Sequence, residues 1–353
     1  MILTLTFAGG LALFLLSLLT MSGALGSALG SGVRSRLNGA SVFTSFVVGA
    51  VATAIIQSST LVSVTILGLT QAGAMQMAPA FAAIVGANVG TTVTSQLAGT
   101  RPVALGWIAL VAGLTLIGSA WIRPDDNDRR VPAQAMKGVA CFAFAGLVLG
   151  LEVMAQSSEQ AFNTESIKAV LCVASKIPVV GFAAGCVITA ILHSSSLVSV
   201  MLVNLGRQRA LTLEAALALM LGSNVGTCVT ALVASAASGR HARVLANANM
   251  LFNLVGALIF MPFVHTFASV LRATSGDPGV QLANGHVIFN IATALAVLPF
   301  SSGFVRWVGG LGEESRFDVI SSGNYPRHCP GAYRVSTGIK FRPSGPSRFN
   351  TRS

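Results

Sequence analysis

Apolar residues fill this chain in long runs, and two of those runs carry polar residues in the middle. The first, Ser41 to Thr70, is interrupted by Gln57, Ser58, Ser59 and Thr60. The second, Val179 to Leu205, is interrupted by His193, Ser194, Ser195 and Ser196. A helix of about 30 residues would measure about 45 Å, well beyond a hydrocarbon core of about 30 Å. Two half-length helices meeting at a polar tip fit better, with the unpaired backbone of the tip buried in protein or in a water-filled cavity. Uninterrupted spans are predicted at Ile2 to about Leu19, Pro79–Ala98, Val103–Ile122, Ala135–Met154, Leu213–Ala237, Val244–Phe263 and Leu282–Val305. Polar connections separate them: a Gly/Ser stretch with Arg34 and Arg36, the charged run RPDDNDRR, and Gln156 to Lys168.

The two interrupted runs are copies of one another. Adding 136 to each number carries Gly49–Ala98 onto Gly185–Ala234 without a gap, and 23 of the 50 positions are identical. Thr53, Ser58, Ser59, Ser63, Asn88, Gly90, Thr91 and Thr94 recur as Thr189, Ser194, Ser195, Ser199, Asn224, Gly226, Thr227 and Thr230. Hydroxyls and carboxamides in apolar segments are costly unless they have partners or ligands. A site built from both copies is the reading this favours. A second likeness, at a spacing of 37, relates ANANMLFNLVGALIFMPF to ANGHVIFNIATALAVLPF and matches Phe252 with Phe289 and Asn253 with Asn290.

Composition places the chain in a bilayer. Hydrophobic residues make up 53% and charged residues 9% of 353, with mean hydropathy +0.74, where soluble domains carry about 25% charged residues. Seven or eight spans are expected, in an all-α polytopic membrane protein. Ile2 to Leu19 has no charged region before it and reads as a retained helix, not a signal peptide. The net charge of +11 does not point to nucleic acid: eight of the 22 basic residues lie in the last 48 positions, and most others sit singly or in pairs in loops. The five cysteines form no CxxC pair, so neither a disulfide framework nor a zinc site is suggested.

Helix breaks suit both an anion and a small cation. Exposed N–H groups and the positive end of a half-helix attract an oxyanion, while hydroxyls and freed carbonyls ligate sodium. With re-entrant hairpins, three spans separate the copies, so they enter from opposite faces as inverted repeats, a recurring carrier design; if each broken run instead crosses once, the copies are parallel, and the length of the runs favours re-entrance. An enzyme reading has little support, because His193 and Ser194 are mere neighbours and no GxSxG, HExxH or phosphate-loop pattern is present.

QSST and HSSS, each followed about 30 residues later by GANVGTT and GSNVGTC, resemble the paired signatures of the type II sodium/phosphate cotransporter family. The likeness extends over about residues 1 to 305. It implies a transmembrane domain of two inverted repeats, about 41–154 and 179–305, each a re-entrant hairpin followed by three helices, and a polar basic tail from 306 to 353 that is expected to be disordered. Sodium-coupled symport of inorganic phosphate across the cell membrane is the implied function. A sodium-coupled carrier of another oxyanion and a passive anion channel are the alternatives. The implied binding residues for phosphate and sodium are Gln57, Ser58, Ser59, Thr60, Asn88, Gly90, Thr91 and Thr92, with His193, Ser194, Ser195, Ser196, Asn224, Gly226 and Thr227. No cofactor is expected besides sodium as the coupling ion.

The chain departs from the family pattern at His193, where the second Gln is expected, at Thr60 in place of Ser, and at Cys228 in place of Thr. After Arg306 it shows no pattern like the phosphate-uptake regulator domain of bacterial relatives. For His193 two readings stand: a neutral imidazole hydrogen-bonded in a polar pocket, or a group whose protonation near neutral pH modulates transport. Asn88 and Asn224 are expected either to cap a helix break or to line the site.

Overall fold

A computed structural model describes residues 2–37, 39–122, 133–161, 177–236 and 238–310. Among these residues every regular element is helical. In chain order they are α1 (Ile2–Leu37), α2 (Val42–Ile56), α3 (Ser59–Gln71), α4 (Met77–Thr100), α5 (Val103–Ile122), α6 (Ala133–Ala161), α7 (Pro178–Leu192), α8 (Ser195–Arg207), α9 (Leu213–Ala236), α10 (Arg240–Phe260), α11 (Val264–Arg272), α12 (Pro278–Val297) and α13 (Ser301–Gly310). Short 3-10 turns, Met261–Phe263 and Leu298–Phe300, join α10 to α11 and α12 to α13.

Both interrupted runs are pairs of short helices. The legs α2 and α7 have 15 residues each, and α3 and α8 have 13. At 1.5 Å per residue none of these legs crosses a hydrocarbon core alone. Among the described residues six stretches are long and apolar enough to do so: Met77–Thr100, Val103–Ala120, Ala135–Met154, Leu213–Ala236, Arg240–Arg272 and Pro278–Gly310. The apolar stretch Leu5–Met21 of α1 is shorter than these. The chain is an all-α, multi-pass membrane protein. Among the described residues three long helices, α4, α5 and α6, lie between the two hairpins.

Glycine sets how the hairpins dock. A Cβ on Gly49 would collide with the Ala83 carbonyl oxygen, on Gly86 with that of Phe46, and on Gly90 with that of Ala50. In the second copy Gly185 meets the Leu219 carbonyl, Gly222 that of Phe182 and Gly226 that of Cys186. Backbones that close leave no space for a side chain, so α2 lies directly on α4 and α7 on α9. The same device joins the N-terminal layer, where Gly10 and Gly150 bring α1 onto α6, and Gly113 and Gly138 bring α5 onto α6.

Three expectations need revision. Helix α1 does not stop near Leu19 but continues to Leu37 through the Gly/Ser stretch. No proline interrupts it, and small residues are tolerated within membrane helices. Helix α6 likewise runs on to Ala161, taking in the start of the expected Gln156–Lys168 loop; the rest of that loop and RPDDNDRR lie outside the described residues. Asn88 and Asn224 cap no break: both sit in the middle of unbroken 24-residue helices.

The 37-residue likeness is a real repeat of structure. Met261–Phe263 and Leu298–Phe300 stand 37 apart, as do the starts of α11 and α13. In each case Pro262 or Pro299 removes an N–H and forces the turn. Asn253 Nδ2 donates to the Asn249 carbonyl at 2.9 Å, and Asn290 Nδ2 to the His286 carbonyl at 2.9 Å. Phe252 stacks edge-on against Phe81 of α4, with centroids 6.0 Å apart, and Phe289 against Phe260, at 5.0 Å. Helix α13 continues four residues beyond Arg306; the remainder of the expected tail lies outside the described residues.

Candidate functional site

The two hairpin tips have the same conformation although their sequences differ. Gln57 (φ 58°, ψ 26°) and His193 (φ 52°, ψ 24°) end α2 and α7 in the left-handed region. For a side-chain-bearing residue that conformation costs about 1 to 2 kcal/mol, so the surroundings must hold it. Each closes its helix with a backbone bond, Gln57 N–H to Thr53 O at 2.7 Å and His193 N–H to Thr189 O at 2.9 Å. Ser58 and Ser194 follow in extended conformation as N-caps, and their hydroxyls accept from Leu61 N–H and Leu197 N–H, each at 3.3 Å.

Those caps leave the first N–H groups of α3 and α8, on Ser59, Thr60, Ser195 and Ser196, at two positive helix ends. Ser59, Ser195 and Ser196 are buried. Each tip is tied to a threonine of its own long helix. Thr94 Oγ1 donates to Gln57 Oε1 at 2.6 Å, and Thr230 Oγ1 lies 3.1 Å from His193 Nδ1. Gln57 is buried and also donates from Nε2 to Ala54 O at 2.5 Å. His193 is exposed, with Thr230 as its hydrogen-bond partner.

A narrow cleft, open on one side, lies where the copies meet. It is lined by Ser59, Thr60, Ser63 and Val64 of α3, Asn88 of α4, Thr227, Thr230 and Ala231 of α9, and Asn249 of α10. Both copies therefore contribute, as the matched polar residues suggest. Of the expected residues, Ser59, Thr60, Asn88 and Thr227 line it together. Gln57 and Ser58 support its tip from behind. Gly90 and Gly226 act through helix docking. Thr91 and Thr92 donate to carbonyls of their own helix, Ala87 O at 3.0 Å and Val89 O at 2.7 Å. His193, Ser194, Ser195 and Ser196 belong to the other tip and Asn224 to the middle of α9, and none of them lines this cleft.

Ser63, Thr230 and Asn249 line it without having been singled out as site residues. The first two do recur between the copies, so the duplication alone could have found them. Asn249 has a histidine, His286, as its counterpart at the 37-residue spacing and is not marked by an identity in that repeat. The cleft contains no charged side chain, and no group of three or more potential metal ligands of His, Cys, Asp or Glu type occurs among the described residues.

Two side chains bridge the long helices behind the cleft. Asn249 accepts from Asn88 Nδ2 of α4 at 3.2 Å and donates to Cys228 Sγ of α9 at 3.4 Å. His286, 37 residues on, lies 2.6 Å from Ser95 Oγ of α4 through Nδ1 and 3.1 Å from Asn224 Oδ1 of α9 through Nε2. Asn88 and Asn224 are counterparts under the 136-residue repeat, and Asn249 and His286 under the 37-residue repeat.

The model of the Na+/Pi-cotransporter family matches residues 13–156 and 146–275. YqeW of Bacillus subtilis (strain 168), named as uncharacterized, is 28% identical over 222 residues, which cover 62% of this chain and 68% of that protein. YjbB of Escherichia coli (strain K12), provisionally named an inorganic phosphate export protein, is 24% identical over 226 residues, covering 64% of this chain and 40% of that protein. The match thus spans less than half of YjbB. No solved structure matches the chain significantly.

Proposed function

The chain belongs to the Na+/Pi-cotransporter family, and from that membership we propose that it is a secondary active transporter moving inorganic phosphate together with sodium across the cell membrane by alternating access. The observation that carries this reading is the neutral cleft shared by both copies, with the N-terminus of α3 at its wall. A charge-free site binds an anion through N–H and O–H donors. A cation bound beside it offsets the anion's charge, which makes joint loading favourable. The hydroxyls of Ser59, Thr60, Ser63 and Thr227 offer oxygens to sodium, and the first-turn N–H groups offer donors to phosphate.

The geometry also supports the alternating step. Each tip pivots on a two-residue break and packs mainly through its outer leg on its own long helix. The tips can therefore part from the shared site one at a time, each opening it to one side. Sodium-dependent binding of radiolabelled phosphate to the purified protein tests the reading. Binding should need sodium in place of potassium and should fall about tenfold or more in a Ser59→Ala, Ser195→Ala double variant, given the worth of hydrogen bonds to a charged ligand. Equal binding in potassium, or unchanged binding in the double variant, would overturn it.

A further inference from the structure

The hairpin tips do not distinguish the two halves of the site, because both end in a capped serine and a helix N-terminus. The asparagines do. In the first half the amide orientations are fixed in a chain. The Asn249 backbone carbonyl can only accept, so the Asn253 group donating to it at 2.9 Å is Nδ2. The same Nδ2 lies 3.0 Å from the Asn249 side chain, which must therefore turn Oδ1 toward it. Asn88 then meets that Oδ1 with its own Nδ2. Its carbonyl oxygen is left over, on a residue that lines the hydroxyl-rich cleft.

In the second half the partner is an imidazole. With Nε2 protonated, His286 donates to Asn224 Oδ1 and accepts the Ser95 hydroxyl proton at Nδ1. Asn224 keeps the opposite end: its Nδ2 is enclosed and has no partner. A buried amide donor left unmet is costly in a resting protein and is expected where a ligand completes it. Replacing the Asn249 type by a histidine at the 37-residue equivalent thus reverses which end of a matched asparagine is free.

We propose that the two asparagines divide the ligands, Asn88 presenting its carbonyl oxygen to sodium in the cleft and Asn224, three residues before the cleft-lining Thr227 on α9, its N–H donors to a phosphate oxygen, with Asn249 and His286 as the positioning residues that set those orientations. This rests on the sodium/phosphate reading above. An ionised aspartate, equal in size to asparagine, separates the roles because it accepts but cannot donate.

The test uses the full chain in proteoliposomes and takes two readings: binding of radiolabelled sodium without phosphate, and the concentration dependence of radiolabelled phosphate uptake at saturating sodium. Asn224→Asp should raise the phosphate concentration needed for half-maximal uptake by about 10-fold to 100-fold and leave sodium binding unchanged. Asn88→Asp should tighten or preserve sodium binding and leave the phosphate dependence in place. His286→Gln, whose amide can put a donor where Nε2 stands, should keep the wild-type phosphate dependence. His286→Asn, too short to reach, should weaken it without changing sodium binding. Equal effects of the two aspartates on both ligands, exchanged effects, or indistinguishable His286→Gln and His286→Asn variants would overturn the division. Absence of sodium-dependent uptake in the wild type would instead refute the sodium/phosphate reading itself.

Discussion

Thr94 donates its hydroxyl proton to Gln57 Oε1 at 2.6 Å, fastening the first hairpin tip to the helix it docks on. Thr230 stands in the same relation to His193 at 3.1 Å. The two bonds are unequal in consequence, since Gln57 is 5% exposed whereas His193 is exposed. Thr94→Val would strand a buried amide oxygen, costing about 1 to 3 kcal/mol. Thr230→Val removes a contact from an imidazole that is not buried in the protein and should cost less than about 1 kcal/mol. Thermal unfolding of the two variants, with phosphate uptake alongside, checks the order; equal losses would contradict it.

Histidine 193 takes up the backbone conformation and the threonine contact that Gln57 has at the other tip. His193→Gln is therefore expected to fold and to retain uptake, Thr230 donating to the new Oε1. Removing the imidazole should change how uptake depends on pH. Uptake measured against pH in both proteins decides the point. An unchanged profile would leave His193 as a cap alone.

Docking of the hairpins depends on glycine at six positions, and the prediction is steep. At Gly86 or Gly222 a methyl would meet a carbonyl oxygen of the facing helix. Rigid backbone cannot yield as a side-chain end can, so Gly86→Val or Gly222→Val should destabilise by about 3 kcal/mol or more. Loss of the monodisperse peak in size-exclusion chromatography is the expected result. Gly118→Ala, at a position with open space around it, is the matched control.

An ionic clasp lies at the far end of the second hairpin. Arg207, ending α8, pairs with Asp277, the N-cap of α12, at 2.8 Å, and also reaches the carbonyls of Ala98 and Gly99 at the end of α4. Burial alone would raise the Asp277 pKa. Bonds from Arg207, its charge, and the N–H groups of Gly279 and Val280 outweigh that and hold it below the usual carboxylate range. The clasp's stabilisation is then fully present above about pH 4, the unfolded value, and is lost as the pH falls further through the folded value. Asp277→Asn should flatten the acid limb of the stability curve, measured by unfolding temperature from about pH 3 to 6.

Much of this was legible in the residues, for identifiable reasons. The tips at Gln57 and His193 were visible because polar residues interrupt runs too long for one span. That both copies line one cleft was visible because Ser59, Asn88 and Thr227 survive a duplication in which Ala87 and Ser223, or Ser95 and Ala231, have diverged. The continuous helices through Asn88 and Asn224 were not, since glycine beside a polar residue reads equally as a break or as close packing. Only the carbonyls of Phe46 and Phe182 facing Gly86 and Gly222 distinguish the two. His286 escaped notice because its counterpart is an asparagine, and its role lies in contacts with Ser95 and Asn224 that are 191 and 62 residues away.

The central claim is coupled movement through the site that both copies build. Proteoliposomes holding the purified protein, given an inward sodium gradient or a matched potassium gradient, test it most directly through the accumulation of radiolabelled phosphate. The account predicts accumulation above equilibrium with sodium alone, abolished when Ser59 and Ser195 are both replaced by alanine in protein that still inserts. Equilibration without accumulation, or accumulation indifferent to sodium, would contradict it.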